Sequence, residues 1–240
     1  MTRLKIMASH WSIPFMAAIL LAGTVILFVT APIWAWFLVP LGVVAQYNNE
    51  YALHRFIFHL PPPQNQWRFD LLYQAHYGHH DFPTNRGLFF VPPWVSLPIL
   101  AAQFLGVWYV ASLFSVHGLA ISASVVLVGG VGTFLMYEWF HMSAHLTVPK
   151  TRLERHVTRL HNQHHFRDFT RWFHVSPGGK IIDRAMGTAI DEAALRHQQR
   201  AEFIRTLNMR PDDPRLVAAR ARFADKYELS AAEIAQAART

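Results

Sequence analysis

The chain contains no cysteine, which excludes disulfides, thiolate metal sites and iron–sulfur clusters. Charge is scarce and unevenly spread. Only 15% of the 240 residues are charged, against 52% apolar, a balance too greasy for an ordinary soluble domain. No charged residue occurs between Lys5 and Glu50, or between Arg86 and Glu138. A membrane-spanning helix takes roughly 20 apolar residues, so each charge desert has room for two.

The first desert divides at Ala31-Pro32, because proline suits a turn or a first helical turn better than a helix interior. One span is expected from Trp11 to Thr30 and a second from Ile33 onward to Leu60. In the second desert Pro92-Pro93 and Pro98 make the entry irregular. A third span is expected from about Trp94 to Ser115 and a fourth from Leu119 to about His141, with His117-Gly118 as the turn. The basic start, Arg3 to Lys5, looks like a signal peptide, but the apolar run is too long and no small-x-small cleavage site follows. An uncleaved first span is expected. With four spans, all 22 Lys and Arg residues fall on one side, which the positive-inside bias makes cytoplasmic, both termini included. That bias explains the net charge of +7, so no nucleic-acid partner is implied.

The fold class expected is therefore all-α: an integral membrane protein with four transmembrane helices and a cytoplasmic helical cap. Residues 1–190 form its membrane domain. Residues 191–240, rich in Ala, Arg, Glu and Gln, read as a soluble helical tail. Within it, Asp213-Pro214 is an expected N-cap with proline at N1, and Ser230 to Glu233 an expected capping box.

Histidine is what the sequence has in excess. Ten of the fifteen fall into four clusters. His54 and His59 are spaced H-x4-H, His141 and His145 H-x3-H, and His76, His79, His80 and His161, His164, His165 both H-x2-H-H. Positions i, i+3 and i+4 share a helix face, so three of the clusters are each able to aim imidazoles together. His54 and His59 are about 140° apart on a regular helix; either they serve two ions or the helix loosens there. A helix from Ile33 to Leu60 is roughly 42 Å long, against a hydrocarbon core of about 30 Å. It lifts the first pair to the membrane face where the other clusters lie.

Zinc takes three or four protein ligands, so ten histidines exceed one site and suit two ions with about five each. Imidazole binds Zn, Cu, Fe and Ni alike, and ligand type does not choose among them. His10, His117 and His197 belong to no cluster. Neutral ligands leave the metal charge uncompensated, so nearby carboxylates are expected to orient the rings. Glu50, Glu138, Asp81 and Asp168 are the candidates for that supporting role, joined by His156 and His174. Phe56, Phe58, Trp139 and Phe140 are candidate groove residues for a substrate entering from the bilayer.

These clusters resemble the fatty acid hydroxylase / sterol desaturase superfamily, and fatty acid 2-hydroxylases in particular. The likeness runs through Glu50-Tyr51-Ala52-Leu53-His54-Arg55-Phe56-Ile57-Phe58-His59 and Pro83…Arg86…Pro92-Pro93. It closes on Phe173-His174-Val175-Ser176, Asp183 and Met186-Gly187-Thr188. The resemblance implies a cytoplasmic pair of iron ions, with zinc possible as isolated, and O2-dependent monooxygenase chemistry on a lipid, a fatty acyl chain first. Carotenoid or sterol-type hydroxylation or desaturation is the alternative within the superfamily. No haem-binding cytochrome b5-like stretch is fused to the chain, so a separate electron donor is expected, cytochrome b5-like or of ferredoxin type. A membrane zinc hydrolase would want three ligands, a water and a base. A metal transporter would want ionisable ligands at mid-membrane depth, which the deserts lack.

Overall fold

The computed structural model describes residues 2–239, the Tyr227 side chain apart. Among them every regular element is helical and there is no strand. The chain divides into two compact units, Met1–Ala189 and Ile190–Thr240.

The first unit opens with α1 (Arg3–Ser9) and α2 (Ser12–Thr30), which ends where Ala31 and Pro32 turn extended. From Ile33 the chain is helical without interruption to Phe58, in three geometries. A tight 3-10 stretch, Ile33–Leu38, leads into α3 (Val39–Leu53), and α3 opens into a wide π turn, His54–Phe58. After α4 (Gln66–Leu72), a second π turn (Tyr73–Tyr77) and α5 (Gly78–Asp81), the chain re-enters the bundle as α6 (Pro93–Ser112). The return rod is α7 (Gly118–Ser122), a π stretch (Ala123–Gly130) and α8 (Val131–His145).

Among the described residues three rods are long and apolar enough to cross a membrane: Ser12–Thr30, Arg86–Ser112 and Gly118–His145. Their outward faces are apolar yet uncovered, with Leu21, Val25, Phe28 and Val29 exposed on α2 and Leu105, Tyr109 and Val110 on α6. Water would penalise such a surface and lipid would not, so these helices fit an integral membrane protein. The rod from Ile33 to Phe58 is not among the three, because Gln46, Asn48, Asn49 and Glu50 make its second half polar.

Between these rods, lipid supplies no hydrophobic drive, so close packing and interhelical hydrogen bonds hold them. At the crossing of α3 with the π stretch, a Cβ on Gly42 would lie 2.0 Å from the Val125 carbonyl oxygen, and one on Gly129 2.5 Å from that of Val39. Only glycine permits that approach. Ser124 Oγ donates to the Ala35 carbonyl (2.5 Å) and Ser122 Oγ to that of Phe104 (2.7 Å).

Beyond the rods, α9 (Arg152–Phe166) starts at a capping box between Thr151 and Glu154. It buries Glu154, Val157, Leu160, His161 and His164, the three-and-four spacing of one helix face. Glu154 also accepts from Arg3 (2.5 Å) and from Trp139 Nε1 (3.1 Å), tying α1, α8 and α9 together. A short α10 (Lys180–Ala185) closes the unit.

The second unit holds α11 (Glu192–Thr206), α12 (Pro214–Arg222) and α13 (Ala231–Ala237). Both expected caps are present: Asp213 accepts from Arg215 N at 2.9 Å ahead of Pro214, and Ser230 and Glu233 cap each other.

Candidate metal centre

The first histidine pair shows why α3 loosens. In the π turn the His59 amide donates to the His54 carbonyl at 3.1 Å, a bond to the fifth residue back. Five residues then make about one turn rather than overshooting it. Both rings come to the same side, 4.9 Å apart between centroids. The second π turn does the same for His76: the Gly78 amide reaches back five residues to Tyr73.

The ten clustered histidines gather into two groups of five. His54, His59, His76, His80 and His164 form one; His79, His141, His145, His161 and His165 form the other. In each, one ring nitrogen per residue lies within 4.8 Å of all the others. In the first, His76 Nε2 is 3.1, 3.0 and 3.0 Å from the Nε2 atoms of His54, His59 and His80. In the second, His141 and His79 approach to 2.8 Å, His145 and His161 to 2.8 Å, and His165 and His161 to 3.1 Å.

The expectation that each H-x2-H-H aims its rings together needs refinement. Residues four apart share a direction and the middle one faces elsewhere. His76 and His80 go to the first group and His79 to the second, while His161 and His165 go to the second and His164 to the first. Each helix thus straddles both groups, and the two are interleaved.

The donor sets fit a pair of metal ions. With metal–nitrogen bonds of about 2.1 Å, ligands at right angles lie about 3.0 Å apart and opposite ligands about 4.2 Å. The distances above fall in that pattern. Burial, and then the neighbouring rings, hold His76, His79, His161 and His164 well below the usual histidine value, and His80 down to about 4. These rings are neutral at physiological pH. His164 Nε2 is buried without a hydrogen-bond partner, although an unpaired buried nitrogen is costly. Inward-facing lone pairs this close repel one another unless a cation sits among them.

Three of the ten rings are held on their other face by backbone. His54 Nδ1–H donates to the Phe173 carbonyl, His141 Nδ1–H to that of Phe89 at 2.7 Å and His164 Nδ1–H to that of Arg171 at 2.6 Å. This fixes the tautomer that leaves Nε2 free. Trp172, between two of those carbonyls, takes the left-handed conformation with φ of 52°. That is a costly geometry for a bulky residue, held by its amide to the Thr188 carbonyl and its indole to Gln163.

Carboxylates were expected against the rings, and the structure places them one step further out. Glu50 accepts from the amides of Val175 (2.6 Å) and Ser176 (3.0 Å) and from the Ser176 hydroxyl. Glu138 accepts from the Val91 amide at 2.9 Å. Each braces the segment whose carbonyl holds a ring. Asp168 accepts from Thr170 N at 2.9 Å and shapes the turn before Arg171. Asp81 is occupied by the Tyr73 hydroxyl at 2.7 Å, and His156 lies outside both histidine groups.

His174 lies between two acids. Its Nδ1 is 3.1 Å from Asp183 and its Nε2 donates to the Tyr47 carbonyl at 2.9 Å. Both nitrogens therefore act as donors. Burial opposes the charge, but the Asp183 hydrogen bond and the Glu50 and Asp183 charges outweigh it and raise the ring above the usual histidine value. Asp183 is fully buried and also accepts from the Phe173 and His174 amides and the Thr188 hydroxyl. It organises the 173–188 segment, a role that sequence reasoning did not assign it.

An apolar cavity lined by His54 and Phe58 reaches into the bundle between α2, α3, α6 and α8. Of the four expected groove aromatics only Phe58 lines it. Phe56 is exposed, Trp139 is bonded to Glu154, and Phe140 packs against the Tyr137–Val157–Val175 cluster.

A fatty acid hydroxylase family model matches residues 38–188. Among similar proteins, the dihydroceramide fatty acyl 2-hydroxylase FAH1 of Arabidopsis thaliana is 27% identical over 162 residues, 68% of this chain and 64% of that one. The fatty acid 2-hydroxylase of Homo sapiens is 26% identical over 145 residues, 60% of this chain and 37% of that one. The chain thus spans less than two thirds of the length of the curated relatives it matches. The solved structure of full-length scs7p, with only its hydroxylase domain visible, shares the fold with a TM-score of 0.62 at 24% identity, covering 74% of this chain and 64% of that one. The matched region takes in all ten clustered histidines and more than half of the residues, and the chain belongs to the fatty acid hydroxylase family.

Proposed function

We propose that the two histidine groups each hold one iron ion through five imidazoles, and that the protein is an O2-dependent monooxygenase of a membrane lipid, most simply of a fatty acyl chain. The observation that carries this reading is the pairing of two five-nitrogen donor sets with an apolar cavity that His54 helps to line. The names of the relatives, fatty acid and dihydroceramide fatty acyl 2-hydroxylases, support the hydroxylase chemistry. Zinc hydrolysis gains nothing from ten ligands.

The iron pair, when bound, supplies the hard chemistry: reductive activation of O2, with one oxygen atom entering a C–H bond and the other leaving as water. The protein's own residues position and shield. Carbonyls of Phe89, Arg171 and Phe173 keep three rings in the tautomer that presents Nε2. Glu50, Glu138 and Asp183 hold those carbonyls in place. Phe58 and the cavity walls keep water from the reacting carbon. The two electrons come from a protein donor, cytochrome b5-like or of ferredoxin type, in this reading.

The rod from Ile33 to Phe58 is the fourth span in this reading. Of the polar residues in its second half, Glu50 is buried against protein, and the basic residues then share the cytoplasmic side with the metal pair.

Two measurements test the proposal. Cells expressing the chain, grown under isotopically heavy oxygen gas, are expected to carry the heavy atom in a new lipid hydroxyl; a hydroxyl labelled from heavy water instead would sink the oxygenase. Truncation after Ile190, at matched expression, is expected to retain metal and product, because no clustered ligand lies in the second unit. Loss of both from a chain that still inserts would assign the tail to the site.

A further inference from the structure

The two histidine groups do not share their supports. Of the three rings held by backbone carbonyls, His54 and His164 belong to the first group and hang from Phe173 and Arg171, close together on one loop. The third, His141, belongs to the second group and hangs from Phe89. Among the described residues no ring of the second group hydrogen-bonds to the 171–188 segment. Whatever fixes residues 171–173 therefore acts on the first group.

His174 ties that loop to α3. Its buried ring donates from Nδ1 to Asp183 at 3.1 Å and from Nε2 to the Tyr47 carbonyl at 2.9 Å. Asp183 in turn takes the amide of Phe173 at 2.9 Å, the same residue whose carbonyl holds His54. Tyr47 lies on the helix that leads into His54. The ring stacks on Tyr51, with centroids 5.4 Å apart and planes 19° from parallel. A Cβ on Gly179 would collide with the His174 Cβ and Cγ, so the space is cut to this side chain. With both nitrogens donating, the ring also sets a positive charge beside the buried carboxylates of Asp183 and Glu50, which are costly to bury uncompensated. An apolar ring of the same size would stack as well; the two donors and the charge are what histidine adds. We infer that His174 is a positioning residue for the first ion alone: its two hydrogen bonds lock Asp183 to α3, so that the Phe173 and Arg171 carbonyls meet His54 and His164 in register. This rests on the reading that each group holds one ion.

The test counts metal rather than turnover. Full-length protein in nanodiscs is loaded with zinc, which fills such sites without redox change, and titrated with a chelator. The parent should hold about two ions per chain. His174→Phe keeps the ring stack and removes both donors. In it one ion is expected to leave at a chelator concentration lower by about 10- to 100-fold, the usual loss when the partner that orients a ligand is deleted, and the other to leave as in the parent. His174→Gln keeps a donor and should recover part of the difference. Double variants assign the ion. Added to His164→Ala, which already disturbs the first group, His174→Phe should cost little more; added to His79→Ala, it should leave neither ion firmly held. A role in the fold at large would weaken both ions together, and that result, or an unchanged release curve, overturns the inference. So does the reverse pattern in the double variants, or equal loss in the Phe and Gln variants. A parent that holds no pair of ions removes the two-ion reading itself. Should His174→Phe fail to insert, His174→Gln and Gly179→Ala, which crowds the ring, are read in its place by the same criteria.

Discussion

Alanine at His79, His145 or His164 is expected to lower hydroxylated product by more than about 100-fold, beyond the loss typical of a residue that only supports a ligand. Metal content should fall with it. Each ring belongs to a different local cluster, and the interleaving makes the losses informative. His79 lies on the same short helix as His80 but serves the other group, with His141 and His145. His164 lies between the second-group ligands His161 and His165 but completes the first group. Removing it should therefore disturb the ion held by His54, His59, His76 and His80. The alternative of four independent clusters makes the opposite forecast, because His164→Ala would then affect only its helix neighbours. His10→Ala and His197→Ala serve as controls outside both groups. Metal analysis of purified protein, alongside lipid profiling of the host, gives both readouts. Near-normal turnover in His79→Ala would sink the ligand assignment.

Iron and zinc forms should differ completely in activity while matching in stoichiometry. Neutral imidazoles bind zinc readily, and zinc stands above ferrous iron in the general affinity order. Overproduced protein is therefore expected to carry about two metals per chain, five imidazoles to each, with zinc occupying sites that work with iron. Zinc has no accessible redox change and cannot pass electrons to O2. Apo-protein reconstituted separately with each metal, and assayed under air and under argon with an external reductant, separates the readings. Product should require iron, oxygen and reductant together. Equal product from the zinc form, or product without oxygen, would falsify the oxygenase and favour the hydrolase.

Much of this protein is written locally. The charge-free stretches between Lys5 and Glu50 and between Arg86 and Glu138 determine apolar helices, because composition alone decides whether a helix prefers lipid. The break at Ala31-Pro32 and the caps at Asp213 and Ser230 follow from the chemistry of single residues. That ten clustered histidines exceed one metal site and suit two follows from their number. Even the ambiguity at His54 and His59 was legible: five residues do not fit one helical turn, so either the partners or the helix had to change.

Which of these happened was decided by tertiary structure. The π turn at His54–Phe58 costs helix geometry that the local sequence does not repay; the convergence of His76, His80 and His164 on the same point makes it worthwhile. The same holds for the support of the rings. Sequence reasoning looked to carboxylates, since side chains are what a sequence displays. The acceptors proved to be carbonyls of Phe89, Arg171 and Phe173, and every residue has a carbonyl. Only the fold decides where one points, through the left-handed Trp172 and the bracing of Glu50, Glu138 and Asp183. Residue type and number pointed to metal ligation; the exchange of His79 and His164 between the groups, and the backbone that aims the rings, came from helices packed far apart in sequence.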